Sequence, residues 1–261
     1  MIKCMYTTLL ENGVDLKKIF KLVIGLPRFI MSYYKFRSML KLNEMTDIVR
    51  PSIKVHDWQD QAGGSLGMYF VHDVYVAQQI LKNNPVDHLD IGSRLSGLCS
   101  HLASSIKIDV MDLRPFSQKV PNLNFIQADV LMPDLSEVIN VRSSVSCTYV
   151  VGHVGLGRYV DPLDPLVHEN AIGAVRNLVV SGGLLYISVP VGREMIQFNS
   201  QRVFNIKKFY HYCIKGFVFR KAALISHNGK LKEIDYINAQ KLNEIEKSDF
   251  EGCFLLIICK K

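Results

Sequence analysis

The sequence predicts an α/β domain, a mostly parallel sheet covered by helices on both faces, preceded by a basic helical extension. Three observations lead there. Short apolar runs of strand length recur from Val86 onwards, helical stretches alternate with them, and the excess of positive charge is confined to a segment near the N-terminus. Strands that alternate with helices are joined by crossovers, and crossovers place helices on both faces of a parallel sheet.

The chain has 261 residues, 48% of them apolar, enough for one large α/β domain with a terminal extension and a substantial core. Residues 1–50 are assigned to the extension and 51–261 to the domain. The cysteines (Cys4, Cys99, Cys147, Cys213, Cys253 and Cys259) form no CxxC pair and no Cys/His cluster at zinc-ligand spacing, and no signal peptide precedes them. Reduced thiols, a cytoplasmic location and no metal are therefore expected.

Lys17, Lys18, Lys21, Arg28, Lys35, Arg37 and Lys41 stand between Leu16 and Asn43 with no Asp or Glu among them, and they account for the formal net charge of +7. The remaining chain is formally neutral. A nucleic-acid-binding face would need clustered basic side chains on the main domain, so no nucleic-acid partner is expected. Within this segment Phe20, Leu22, Val23, Ile24, Leu26, Phe29, Ile30, Tyr33, Tyr34, Phe36 and Met39 interleave with the basic residues at helical spacing. Lys17, Lys21, Arg28 and Lys35 fall close to one face. Pro27 is expected to kink or divide this helix, and no apolar run approaches the roughly 18 residues that span a bilayer. Two readings stay open. The segment lies on the anionic inner face of a membrane, attracted by about 1 kcal/mol per nearby basic residue, or it is an arm packed on its own domain or a partner.

After a polar stretch from Ser52 to Gly67, Val71 to Leu81 has helical periodicity and stops at Asn83, Asn84 and Pro85. Strands are expected at Val86–Ile91, Ile108–Leu113, Leu123–Ala128 and Val145–Val151. Helices are expected at Leu95–Ser104 and Leu166–Val180, the latter closed by Ser181, Gly182 and Gly183. A fifth strand, Leu184–Val189, a helix, Ile206–Lys215, and two β-rich stretches, Phe217–Ser226 and Cys253–Cys259, complete the chain. The polar insertion between those last two, Asn228 to Ser248, reads as a lid or as a surface connection with its own helix.

In an open parallel sheet, ligands bind outside the carboxyl ends of the strands, where strand order reverses. The first strand ends in Asp90-Ile91-Gly92-Ser93-Arg94-Leu95-Ser96-Gly97. Gly92 permits a tight turn close to a ligand, with Ser93 in the same turn. Arg94 occupies the second glycine position of the dinucleotide fingerprint, where a pyrophosphate would need room, so a nicotinamide dinucleotide fits poorly. S-adenosylmethionine (SAM) has no phosphate and asks instead for carboxylates and backbone polar groups. Asp112 ends the second strand 22 residues after Asp90, near the offset of about 20 at which a carboxylate reaches ribose hydroxyls. Asp129 ends the third, where an adenine amino group can donate to it. Asp90, Gly92, Ser93, Asp112 and Asp129 are the candidate cofactor residues.

The series DIGSR, VMDLRP, ADV, the GG turn before LLYISVP and the two closing strands resemble the class I SAM-dependent methyltransferases. That resemblance implies a Rossmann-like sheet of seven strands, parallel except for an antiparallel last strand in the chain. DIGSRLSGLCSHLA, HVGLGRYVDPLDP, SVPVGRE and FNSQRVFN are more closely similar to an uncharacterised domain-of-unknown-function family in that superfamily, with members in bacterial surface-polysaccharide gene clusters. The resemblance spans about residues 57–225. It implies SAM as cofactor and a glycan, nucleotide-sugar or glycan-lipid precursor as acceptor.

In that fold the loop after the fourth strand borders both the methyl group and the acceptor. Here it holds His153, Arg158, Tyr159 and Asp161, and His153, Arg158 and Asp161 are the candidate catalytic residues. His153 is the natural base, since an imidazole titrates near neutrality; alternatively it orients its own loop. Relatives carry a glutamate just before this histidine, where Gly152 stands here. Arg193, Asn199 and Arg202 follow the fifth strand on the acceptor side. The two arginines can clamp an anion bidentately or brace the loops through Glu194 or Asp161. Tyr69, His72 and Asp73 can cover the cofactor. The alternative function is a catalytically inactive methyltransferase-like accessory protein of a polysaccharide assembly complex.

Overall fold

The structure, a computed structural model, describes residues 10, 13–42, 67–132, 135, 140–157, 159, 161–198, 200–248 and 250–261. The chain forms two compact units, Met1–Ser65 and Leu66–Lys261. The first contains α1 (Leu16–Leu42), which Asp15 begins by accepting the Lys18 N–H at 3.2 Å, as an N-cap carboxylate does. Of the two outcomes expected for Pro27, division does not occur: it stands inside one continuous helix. Among the described residues, no helix is long and apolar enough to cross a membrane.

The second unit opens with α2 (Met68–Lys82), followed by β1 (Leu89–Ile91), a π-helical turn (Leu95–Cys99) running into α3 (Ser100–Ala103), β2 (Ile108–Asp112) and β3 (Leu123–Gln127). Next come β4 (Arg142–Thr148), a short 3-10 turn (Val150–Gly152), α4 (Val167–Asn177), β5 (Val179–Val191) and the hairpin of β6 (Met195–Gln197) and β7 (Gln201–Val203). The chain closes with α5 (Ile206–Ile214), β8 (Phe217–Ser226), β9 (Leu231–Ile234), α6 (Ala239–Lys247) and β10 (Gly252–Lys260).

The main sheet has the order β3-β2-β1-β4-β5-β10-β8-β9. Strands β1 to β5 pair in parallel, and β10 inserts antiparallel between β5 and β8. This is the Rossmann-like arrangement expected, including the antiparallel last strand in the chain, with one strand more. The extra strand, β9, pairs antiparallel with β8 inside the polar insertion, which also supplies α6. Asn238 caps that helix by accepting the Lys241 N–H at 2.7 Å, and Leu242 and Ile245 seat it on the core.

Alternation along the central strands divides the core between the two faces. Leu185, Ile187, Val189, Phe254 and Leu256 meet Ile172 and Val175 of α4, Phe209 of α5 and Leu242 of α6. Tyr186, Leu255 and Ile257 face Val76 and Ile80 of α2, Leu98 of the π turn and Leu102 of α3. The expected fourth strand ran to Val151 because its apolar pattern continues. In the structure β4 ends at Thr148, because Tyr149 turns the chain at φ 66°. The predicted α4 likewise shortens, and β5 begins already at Val179. The β6–β7 hairpin was not expected; three residues a side carry too little periodicity to read.

Candidate functional site

Strand order reverses between β1 and β4: the chain builds β2 and β3 on one side of β1 before crossing to the other. A cleft of about 800 Å³ opens there, at the carboxyl ends of β1, β2, β3 and β4. It brings together Gly92, Asp112, Asp129, His153 and Asp161 from the predicted set. Arg158 and Asn199 lie outside the described residues.

Gly92 makes the first turn at φ 63°, its N–H donating to the Met111 carbonyl at 2.7 Å. A Cβ here would stand 2.8 Å from Val150 Cγ2, so glycine is required by conformation and by space. Asp90 sits beneath this turn, fully buried and outside the lining. It accepts the Ser93 hydroxyl at 2.7 Å, the Ser93 N–H at 3.1 Å, the Ser146 hydroxyl and the Cys99 thiol. Burial pushes its carboxyl above the ordinary range while these donors pull it down. Ser93 in turn contacts the Thr148 hydroxyl at 2.7 Å, linking the first turn to β4. Asp90 and Ser93 therefore shape the turn from below, and neither is among the residues that line the cleft.

Asp112 is on the cleft wall, but Arg114 forks onto it: Nε donates to Oδ1 at 3.0 Å, Nη2 to Oδ2 at 2.6 Å, and the Arg114 N–H to Oδ1 at 2.8 Å. The Asp112 carboxylate holds the guanidinium pKa above its usual value. The guanidinium also lies 4.9 Å from the centroid of the Tyr159 ring. Asp129 accepts the Leu131 N–H at 2.9 Å and lines the cleft beside Phe125 and Phe116, whose rings pack 5.4 Å apart.

At the other end of the cleft, Arg94 approaches Asp73 Oδ2 at 3.5 Å and lies 5.8 Å from the Tyr69 ring centroid. The buried His72 imidazole donates from Nδ1 to Asp73 Oδ1 and contacts Ser188 Oγ through Nε2, both at 2.9 Å. Gly97 leaves space for Asp73: a Cβ there would collide with Oδ2.

In the loop after β4, His153 donates from Nδ1 to the Ser200 carbonyl at 2.5 Å, and its ring meets Tyr159 edge-on at 6.0 Å. A carbonyl only accepts, so Nδ1 carries a proton in this bond. Asp161 Oδ2 accepts the N–H groups of Gly155, Leu156 and Gly157 at 2.7–3.2 Å, and Oδ1 accepts that of Tyr159 at 3.0 Å. Burial raises the Asp161 pKa, but these donors outweigh it and hold the carboxyl below the ordinary range. Asp161 thus lines the cleft while its carboxylate accepts four N–H groups of its own loop.

Arg202 is 4% exposed and absent from the cleft lining. It donates to the carbonyls of Val154, Asp164 and Pro165, and burial lowers its pKa. The proposed acceptor clamp at Arg202 is thus replaced by a brace, made through carbonyls and not through Asp161. Arg193 is exposed and outside the lining, and Glu194 pairs with Lys208 at 2.7 Å. Sequence reasoning missed Arg114, although its spacing two residues after Asp112 puts both on the same side of the chain. It also missed Ser188, which meets His72 from 116 residues away. Among the described residues, no cluster of His, Cys, Asp or Glu forms a candidate metal site.

The fold is similar in outline to solved methyltransferases. The N-methyltransferase NodS from Bradyrhizobium japonicum WM9, in complex with S-adenosyl-L-homocysteine, matches at 12% identity over 80% of this chain and 93% of its own, with TM-score 0.49. A putative sarcosine dimethylglycine methyltransferase from Galdieria sulphuraria matches at 9% identity over 73% and 84%, TM-score 0.49. A SAM-dependent methyltransferase from Clostridium acetobutylicum ATCC 824 matches at 10% identity over 88% and 99%, TM-score 0.46. No curated protein matches the sequence. The model of one sequence family matches residues 122–255, just over half of the 261-residue chain, from the start of β3 into the first half of β10. The chain therefore belongs to the DUF268 family, described as a Caenorhabditis protein of unknown function.

Proposed function

We propose that the protein is a SAM-dependent methyltransferase. The carrying observation is the convergence, on one cleft at the strand-order reversal, of the Gly92 turn and the carboxylates ending β2 and β3. The volume of about 800 Å³ suits a cofactor of this size. In this reading Asp112 takes the ribose hydroxyls, Asp129 the adenine amino group, and Phe125 and Phe116 flank the base. Asp73 and Arg94, opposite charges 3.5 Å apart, suit the ammonium and carboxylate of the amino-acid end. Bound SAM supplies an electrophilic methyl group on sulfur. The protein's part is to align an acceptor oxygen in line with it and to take up the acceptor's proton. In this reading His153 is the base, and its Nδ1 bond to the Ser200 carbonyl holds the ring at the cleft.

The acceptor proposed is a hydroxyl of a glycan, nucleotide sugar or glycan-lipid precursor, met at the inner surface of a membrane. The sequence resemblance and the basic helix α1 support this choice. A second reading, an inactive accessory protein of a polysaccharide assembly complex, is favoured by Gly152 in the place of a glutamate. A Cβ at Gly152 would meet only ordinary contacts, 3.5 Å or more from its neighbours, so space does not dictate glycine there.

Calorimetric titration with SAM and S-adenosylhomocysteine tests the cofactor site. Saturable binding is expected, weakened at least tenfold in Asp112→Ala by loss of charge-assisted bonds. A folded wild type that binds neither ligand refutes the methyltransferase reading. Binding without turnover across sugar acceptors favours the accessory protein.

A further inference from the structure

The Arg114 fork conflicts with the role proposed for Asp112. Two of the donors, Nε and the Arg114 N–H, already fill Oδ1, and Nη2 occupies Oδ2 at 2.6 Å. Each carboxylate oxygen accepts about two hydrogen bonds, so one acceptor position remains, on Oδ2. A ribose diol that donates to both oxygens needs one on each. Diol binding and the complete fork therefore exclude one another.

Release need not carry the guanidinium out of the cleft. It is half-exposed, and its position 4.9 Å from the Tyr159 centroid gives it a second attachment. Tyr159 in turn abuts His153 at 6.0 Å. Freed from Asp112, Arg114 would present a cation on the acceptor side of the cleft, next to the candidate base. The arrangement of its donors, which fits two carboxylate oxygens, fits two phosphate oxygens equally. A phosphate also offers more acceptor oxygens and more charge than the carboxylate it replaces. Neither Arg193 nor Arg202, the arginines singled out in the sequence for this task, lines the cleft.

We propose that Arg114 is the receptor for a phosphate group on the acceptor, and that it becomes available when the cofactor ribose displaces it from Asp112. The inference rests on the SAM reading and deepens it in two respects. It names a phosphate-bearing acceptor, and it makes cofactor and acceptor binding mutually reinforcing, since coupling between two ligands is reciprocal.

Calorimetry on the full chain tests both parts, with S-adenosylhomocysteine as the cofactor ligand and uridine diphosphate and farnesyl diphosphate as phosphate probes. In wild type, saturating S-adenosylhomocysteine is expected to tighten a diphosphate by about fivefold or more, the scale of ordinary site coupling. In Arg114→Gln, S-adenosylhomocysteine is expected to bind several-fold more tightly, and the enhancement of diphosphate binding is expected to vanish. The tighter of the two probes identifies the source, a nucleotide sugar or a lipid-linked sugar. Weaker S-adenosylhomocysteine binding in Arg114→Gln, or diphosphate affinity indifferent to S-adenosylhomocysteine, overturns the proposal while leaving the cofactor site standing. If wild type binds no S-adenosylhomocysteine, the cofactor reading itself fails. Because Arg114 is half-exposed, the variant is expected to fold, as thermal unfolding will verify.

Discussion

At the scale of single residues, the carboxylates of this cleft are divided by what donates to them. Asp90 is held mainly by side-chain donors below the first turn, Asp112 by the guanidinium and N–H of one arginine, and Asp161 by four backbone N–H groups of its own loop. The last arrangement has a definite pH dependence. The folded pKa of Asp161 is depressed, so its contribution to loop stability is full above the ordinary carboxylate range near 4 and is lost as pH falls through the folded value. Amide exchange at Gly155 and Gly157 is expected to stay slow from neutral pH down to about 4, after allowance for intrinsic rates, and to quicken in more acidic solution. In Asp161→Ala it should be fast throughout, with a cost of about 1–3 kcal/mol from the stranded donors. Slow exchange in that variant would show that the loop is held by other contacts. The residue types of this loop were legible in the sequence, but their roles were not. Whether Asp161 faces a substrate or its own backbone depends on the turns at Gly155 and Gly157, both at positive φ.

Among the elements, the fit of α2 against the π turn after β1 decides the shape of the cofactor end of the cleft. Asp73 reaches over the turn only because Gly97 has no side chain, and His72 pins the carboxylate so that it cannot swing aside. Gly97→Ala is therefore expected to cost about 1–3 kcal/mol by overpacking, which for a unit of this size lowers the Tm by several degrees. It should also weaken S-adenosylhomocysteine, whose amino-acid end meets Asp73 in the proposed binding mode, more than adenosine, which lacks that end. An unchanged Tm would mean that α2 shifts without cost. Element order and type were largely readable, because the central strands are apolar runs bounded by turn residues. Boundaries were displaced where tertiary contacts extend a strand, as with β5, whose first residue Val179 pairs with Arg142. The strands β6, β7 and β9 were unreadable: each is only three or four residues long and gains its conformation from its partner.

For the whole molecule, charge and fold are separated along the chain. Surface association through α1 remains a proposal that predicts a salt-sensitive interaction. The full chain is expected to sediment with vesicles containing 30 mol% phosphatidylglycerol, a composition of about that charge being chosen to resemble an anionic leaflet, and not with neutral phosphatidylcholine. Replacing Lys17, Lys21, Arg28 and Lys35 together by Gln should reduce binding more than tenfold, from the loss of about 1 kcal/mol per charge. Equal binding by the variant would remove the membrane from the account. The sequence by itself determined the α/β class, the run of strands, the glycine turn and the carboxylates at the strand ends, because each is encoded in periodicity or in residues adjacent along the chain. Only the tertiary structure decided that Asp161 accepts its own loop's N–H groups, that Arg202 donates to backbone carbonyls, that Arg114 engages Asp112, and that His72 joins α2 to Ser188. The partners of Arg202 and His72 lie far apart in sequence, where no local pattern specifies them, while Asp161 and Arg114 meet near neighbours only because the turns of their loops bring donor and acceptor within about 3 Å.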